Sequence, residues 1–391
     1  MSAPDAPADA AAAPLAPAGP VRQRKAGDRR ATAGQWTLVW WRFRRHKLAM
    51  TGLVITLLIY LMAIFADFVG PVPPHETNAR YTYAPPQAVH FFLRDADGGL
   101  SFSPHVYGFK VELDPVALRR TFVIDEAKVI PIGFFVKGAP HKVLGLFETD
   151  RHLVGPKNPS DPFFLLGAAR LGRDVFSRTV HGGRISMSIG LVGVTLSLVI
   201  GTLLGGLSGY LGGWVDASVQ RVIEVIRSIP TIPLWMGLAA SVPLTWHPLA
   251  VYFAITIILS LVGWTTIARI VRGKFLSLRS EDFVTSAVLD GASSLRVIRV
   301  HMLPAMTSYI IAATTLAIPI MILSETALSF IGLGLQPPLI SWGVLLKEAQ
   351  NIRSLATAPW LFAPGVAVVI AVLSLSFLGD GLRDAADPYQ R

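Results

Sequence analysis

Six apolar runs, each long enough to cross a bilayer, restrict this chain to very few folds. They occupy residues 48–70, 185–207, 221–244, 250–268, 305–331 and 360–379. A hydrocarbon core of ~30 Å takes ~20 apolar residues wound as a helix. Within it every backbone polar group must be satisfied internally. The expected fold class is therefore an all-α polytopic membrane protein with six transmembrane helices. The third run carries Glu224 and Arg227 near its start, where long side chains reach the headgroups.

The net charge of +10 is consistent in sign with nucleic-acid binding, but its placement argues against that class. Arg42, Arg44, Arg45 and Lys47 abut the first run, and Arg269, Arg272, Lys274, Arg279, Arg296 and Arg299 crowd the segment between the fourth and fifth. Positive charge is retained on the cytoplasmic side. Both regions are thus expected to be cytoplasmic, and six spans place the N- and C-termini there as well. The lipid bilayer is the partner that this charge serves.

The chain has no cysteine, so neither disulfides nor thiolate metal sites arise. The first run starts too late for a signal peptide and reads as an uncleaved anchor, despite a faint cleavage-like "AIFA" at 63–66. Residues 1–34 are Ala/Pro-rich with a basic end, the composition of a disordered cytoplasmic tail. Residues 35–70 hold the N-terminal segment and first span. Residues 71–170 are Pro-rich, aromatic and mixed in charge, a domain rather than a loop, which the topology places outside the cell. "HVYGFKVEL" (105–113) and "VIPIGFFVKG" (129–138) are β-branched and aromatic between Gly and Pro breakers, which predicts short strands. A small β-rich extracytoplasmic insertion between the first two helices follows. Residues 171–391 are then a five-helix core.

Two flanking segments have helical spacing. "LGRDVFSRTVHGGRISMSIG" (171–190) reads either as a short interfacial helix with Val175, Phe176, Thr179 and Val180 on one side, or as a polar lead-in. "WGVLLKEAQNI" puts Trp342, Leu345, Leu346, Ala349 and Ile352 on one stripe, predicting a helix flat on the outer surface.

The loop 278–304 interrupts the apolar pattern with "RSEDFVTSAVLDGASSLRVIRVHMLPA". Ser280 can cap a helix opened by Glu281 and Asp282, and Gly291 can end it. Ser293 or Ser294 can cap a second helix with Leu295, Ile298 and Met302 on one side and Arg296 and Arg299 on another, before Pro304 opens the next span. An apolar stripe beside positive charge suits docking to another protein. A basic loop that only fixes topology is the alternative.

The detailed string "VTSAVLDGASSLRVIRVHMLP" resembles the cytoplasmic coupling motif of ABC-importer permeases: Glu-Ala-Ala, three residues, Gly, then a hydrophobic stretch ending Leu-Pro. Ser286 and Ala287 take the alanine places, Gly291 the glycine, and Leu303 with Pro304 the ending; Thr285 stands at the glutamate place, a departure. "WRFRRHKLAMTGL" (41–53), "LGRDVFSR" (171–178), "SETALSFIGLGLQPPLISWG" (324–343) and "FLGDGLRDAADP" (377–388) narrow the resemblance to the second membrane subunit of dipeptide/oligopeptide (peptide/nickel) permeases. Gly167, Ala168 and Ala169 replace that family's Gly-Thr-Asp.

The resemblance implies a non-catalytic translocation subunit in a bacterial inner membrane. Its partners would be a second permease subunit, two ATPase subunits carrying ATP-Mg, and an extracytoplasmic solute-binding protein, against which the insertion is expected to rest. Thr285, Ser286, Ala287, Gly291, Ser294, Leu295, Arg296, Ile298, Arg299 and Pro304 would form the ATPase-coupling element. No Gly-x-x-x-x-Gly-Lys-Ser/Thr occurs, so no P-loop cofactor site is expected on this chain. Peptides are the expected cargo, with oligosaccharide or nickel as alternatives.

Glu325 lies in an apolar run after Pro319, either as a pathway carboxylate or as a structural group bonding a helix broken at that proline. Glu224 stands three residues from Arg221 and Arg227, a spacing for ion pairs. Gly190, Gly193, Gly201, Gly205, Gly206 and Gly209 predict close packing, against this chain or the partner permease. No His-x-x-x-His pair marks a metal site. "GLSG" (206–209) offers Ser208 as a protease nucleophile, but His247 and His301 are expected in loops, too far to serve as its base. An ion-coupled secondary transporter is the remaining competing class.

Overall fold

The computed structural model describes residues 34–94, 99–113, 115, 120–143, 145–243, 245–351 and 356–386. Most of the expected 1–34 tail, Ile352 and the last two residues of the 377–388 string lie outside these. The apolar runs form α2 (Lys47–Ile64), α3 (Val175–Leu211), α6 (Pro248–Leu278), α8 (Thr307–Ile331) and α10 (Ala363–Ala386), preceded by α1 (Gln35–Phe43). Among the described residues five helices are long and apolar enough to cross a membrane, or six if a bent pair counts as one span. That pair is α4 (Gly213–Ser228) and α5 (Thr231–Ala240), which meet at 87°. Pro230 explains the break: the residue before it is pushed to extended backbone, and it opens the next helix. The expected third span is thus bent.

Two boundaries differ from expectation because tertiary contacts extend helices beyond their apolar stretches. The 171–190 segment is neither a separate interfacial helix nor a lead-in but the first turns of α3, which starts at Val175 with Asp174 as its cap. Arg269, Arg272 and Lys274, expected in a loop, ride on the last turns of α6. Pro319 does not break α8, which runs through it.

α3 and α6 pack in parallel: Gly193 faces Ser260, Gly201 faces Trp264 and Ile267, Gly205 faces Ala268, and Gly209 faces Arg272 and Phe275. The small-residue seam therefore packs within this chain. With 37 residues, α3 is roughly 55 Å long. The segments 71–174 and 279–306 consequently emerge at opposite ends of the bundle.

The insertion contains a four-stranded antiparallel meander, β1 (His90–Arg94), β2 (Leu100–Leu113), β3 (Arg120–Val143) and β4 (Phe147–Pro156), in sequence order. The strands are longer than predicted. Bulges at Tyr107/Gly108 and Lys137/His141 let β3 span breakers such as Pro131 and Gly138. Val106, Ile130 and Phe163 are buried together beneath it, beside a second cluster of Tyr81, Phe109 and Phe164.

Gly205 is the closest point of the α3–α6 seam: a Cβ there would overlap the Ala268 carbonyl oxygen. Gly205→Val is expected to cost about 1–3 kcal/mol by overpacking, seen as a lower thermal midpoint of the purified protein. The same change at Gly237, which has open space, serves as control.

Candidate functional site

The helical pieces between α6 and α8 form an ordered element built by local rules. α7 (Asp282–Leu289) starts from Glu281, not from Ser280, whose hydroxyl donates to the Ser277 carbonyl at 3.1 Å. It ends in a Schellman motif: Gly291, at φ +80°, donates to Val288 and Ala292 donates to Ala287, each at 3.0 Å. Only glycine takes that φ without strain. Ser293 then precedes one α-turn (Ser294–Arg296), a π-helical turn (Val297–Met302) and the Leu303–Ala305 turn that contains Pro304.

Val284, Ala287, Val297 and Met302 are buried against Ile267, Val271 and Phe275 of α6 and Met306. Thr285, Ser286, Ser294, Arg296 and Arg299 are exposed, and Ile298 is half-buried. The expected Leu295–Ile298–Met302 stripe does not exist: Leu295 is 63% exposed while Met302 is buried. The π-turn, with its i→i+5 bonding, rotates these side chains apart. The outward apolar rim is instead Leu289, 82% exposed, with Leu295, Phe283, Val288 and Val300. Sequence reading missed Leu289, although Gly291 two residues on marks where a helix end leaves it unpacked. Thr285, at the glutamate place, turns its hydroxyl back to the Glu281 carbonyl at 3.3 Å.

A polar network holds this end of the bundle. Arg272 forks onto Asp216 of α4, with Nη2 donating to Oδ2 at 2.6 Å, and the Ser208 hydroxyl donates to Asp216 as well. Ser208 is thus a structural donor. Arg221 pairs with Glu224 at 3.0 Å on an exposed face, whereas Arg227 donates to Thr266.

Arg227 belongs to a groove of about 550 Å³ between α3, α5, α6 and α8. Trp235, Tyr309 and Met321 line it among aliphatic side chains, Ser197, Thr266 and Ser324 are polar, and Arg227 of α4 and Arg383 of α10 are its charges, with no carboxylate among the described residues. Glu325 is not on this wall. It is fully buried and accepts from the hydroxyls of Ser186, at 2.9 Å, and Ser329, at 2.8 Å. Those hydroxyls in turn accept from the backbone of Trp342 and Leu335. Glu325 therefore joins α3 and α8 to the connection that leads into α9 (Trp342–Ala349).

α9 does not lie flat on a surface. Trp342, Val344, Leu345 and Ala349 are buried, and the Trp342 indole donates to the Thr179 carbonyl at 2.9 Å. Glu348 accepts a fork from Arg178, at 2.7 and 3.0 Å, and a bond from Arg173 at 3.1 Å. Burial raises the Glu348 pKa, but these guanidiniums outweigh it and hold the carboxyl below its usual range. Asp174 caps α3, accepting from Ser177 N at 2.7 Å, so the helix is capped despite Ala169 at the family's acidic place. Burial pushes its carboxyl up to about 6.

The profile of the binding-protein-dependent transport system inner membrane component family matches residues 201–391, and that of the N-terminal transmembrane domain of oligopeptide transport permease C matches 34–86. An oligopeptide transport system permease protein OppC of Haemophilus influenzae is 35% identical over 62% of this chain and 76% of its own length. A dipeptide transport system permease protein DppC of Bacillus subtilis is 35% identical over 65% and 76%. The Bacillus subtilis OppC is 29% identical over 91% and 90%. A multi-pass inner-membrane permease subunit is the class these helices define. The chain belongs to the binding-protein-dependent transport family, as a dipeptide/oligopeptide-type ABC permease. The ion-coupled and protease alternatives give way to it.

Glu348→Gln leaves Arg178, only 3% exposed, without its anion, and is expected to cost about 3 kcal/mol, measured by denaturation in detergent. The raised Asp174 pKa makes stability fall as pH rises from its ordinary 3.8 to about 6, then level off. Asp174→Asn should keep the cap and flatten that slope, while Asp174→Ala should lose ~1 kcal/mol.

Proposed function

We propose that this subunit carries peptides across a bacterial inner membrane and takes its drive from a separate ATPase pair through the 278–304 element. The names of its relatives support peptides as the cargo class, ahead of oligosaccharide or nickel. The basic flanks support cytoplasmic N- and C-termini with the 278–304 element on the same side, and the sheet of 71–170 outside, resting against a solute-binding protein. ATP-Mg then belongs to the two ATPase subunits, and a second permease subunit completes the pathway. The division into a 1–34 tail, a 35–70 anchor segment, the insertion and the 171–391 core follows the same reading.

The observation that carries the coupling role is an ordered element with two opposed faces. Its inner face is locked onto α6 through Phe275, and its outer face presents Leu289 and Leu295 beside Arg296 and Arg299. In this reading Thr285, Ser286, Ser294, Leu295, Arg296 and Arg299 meet the ATPase. Ala287, Gly291, Ile298 and Pro304 shape the element that presents them. A push on this face moves α6 and, across the glycine seam, α3. Such a displacement would switch the groove between outward and inward access.

With no native cysteine, a single cysteine at Ser294 should crosslink to the ATPase subunit in membranes, with a yield that changes on adding ATP. Leu295→Asp should weaken ATPase association about tenfold or more, from the lost burial of one leucine, read by co-purification. Silence at Ser294 and at neighbouring positions in folded protein would sink the coupling role.

A further inference from the structure

The β-sheet touches the bundle where α2 ends. Ile64 closes α2, and the turn Ala66–Val69 packs against Val180, Phe176 and Leu153 of β4. Arg184 fixes this level by donating to the carbonyls of Ala63 and Ile64 and to Asp67. The outer face of α2 is an apolar surface, with Leu57, Leu58, Leu61, Met62 and Ile64 all exposed.

β3 continues that surface beyond the helix end. The Phe135 ring lies 5.9 Å from the ring of Phe68, in the turn after α2. Phe134 is 73% exposed and Phe135 60% exposed, two consecutive outward aromatics where a strand's alternation would turn one inward. Phe135 sits at φ +54°, a left-handed conformation costly for a bulky side chain. The Arg151 guanidinium pins it by donating to its carbonyl at 3.0 Å. Strain kept to hold two phenylalanines outward has no return in water.

We propose that Phe134 and Phe135 form a membrane foot, seated at the boundary between headgroups and acyl chains, which fixes the height and tilt of the sheet over the bilayer. Continuity with the lipid-facing side of α2 selects lipid as the occupant. The flanking charges match a headgroup layer: Lys137 and Arg151 are exposed beside the foot, with Asp150 within 3.4 Å of Lys137 and 4.0 Å of Arg151. The inference rests on the transmembrane nature of α2 and not on which side of the membrane the sheet occupies, nor on the ATPase coupling.

The full-length chain, co-expressed with its partner subunits and reconstituted in liposomes, tests it. Single cysteines at Phe134 and at Phe135 carry an environment-sensitive NBD label, with Leu57 as the lipid reference and the charged, exposed Glu126 of β3 as the aqueous reference. Both foot labels are expected to emit to the blue of the Glu126 label and to lose intensity most to lipids bearing a shallow nitroxide. In the unsubstituted chain, a lipid with a headgroup-level photoactivatable diazirine should label the Phe134–Phe135 peptide, which keeps the test independent of any substituted variant. Emission like that of Glu126, absence of photolabelling, or shielding that develops only when solute-binding protein is added would each overturn the proposal.

Discussion

The architecture depends on how closely two helix backbones can approach. Lipid tails are as apolar as leucine, so helix association inside a bilayer relies on van der Waals fit and polar bonds rather than on escape from water. Gly201, Gly205 and Gly209 remove the side chains that would separate α3 from α6, and their partners are backbone atoms and the inner flanks of Ile267 and Phe275. Because the two helices run parallel, the seam joins two long rods that share both ends. One end receives the sheet; the other carries the element that presents Leu289 and Leu295.

Polar groups reinforce the seam where burial makes them costly. Glu325, Ser186 and Ser329 tie α3 and α8 to the connection before α9. At the sheet end Arg178 and Arg173 converge on Glu348, and at the opposite end Arg272 clasps Asp216. Each carboxylate is met by several donors, and for the fully buried Glu325 a low-dielectric setting requires it. Packed helices thus link the 278–304 element, through α6 and the glycine seam, to the walls of the groove.

Local chemistry was readable wherever one residue type forces one backbone state. Gly291 announced the end of α7 and Pro304 the approach to α8. Asp174 was overlooked as a cap because 171–190 reads as polar until Trp342 and Glu348 are known to cover it. α9 looked like a surface helix for a related reason. Its apolar stripe is real, but Val344 off that stripe is buried too, and Glu348 faces two arginines that lie some 170 residues earlier in the chain.

The sequence by itself determined which segments leave water and that a glycine-hinged, basic element interrupts them. Those properties follow from side-chain transfer energies and backbone restrictions that act within a few residues. Tertiary structure alone decided that the third apolar run bends by 87°, that Glu325 turns away from the groove, and that Met302 faces inward while Leu295 faces out. These outcomes depend on distant partners and on a π-turn whose wider winding an α-helical periodicity does not encode.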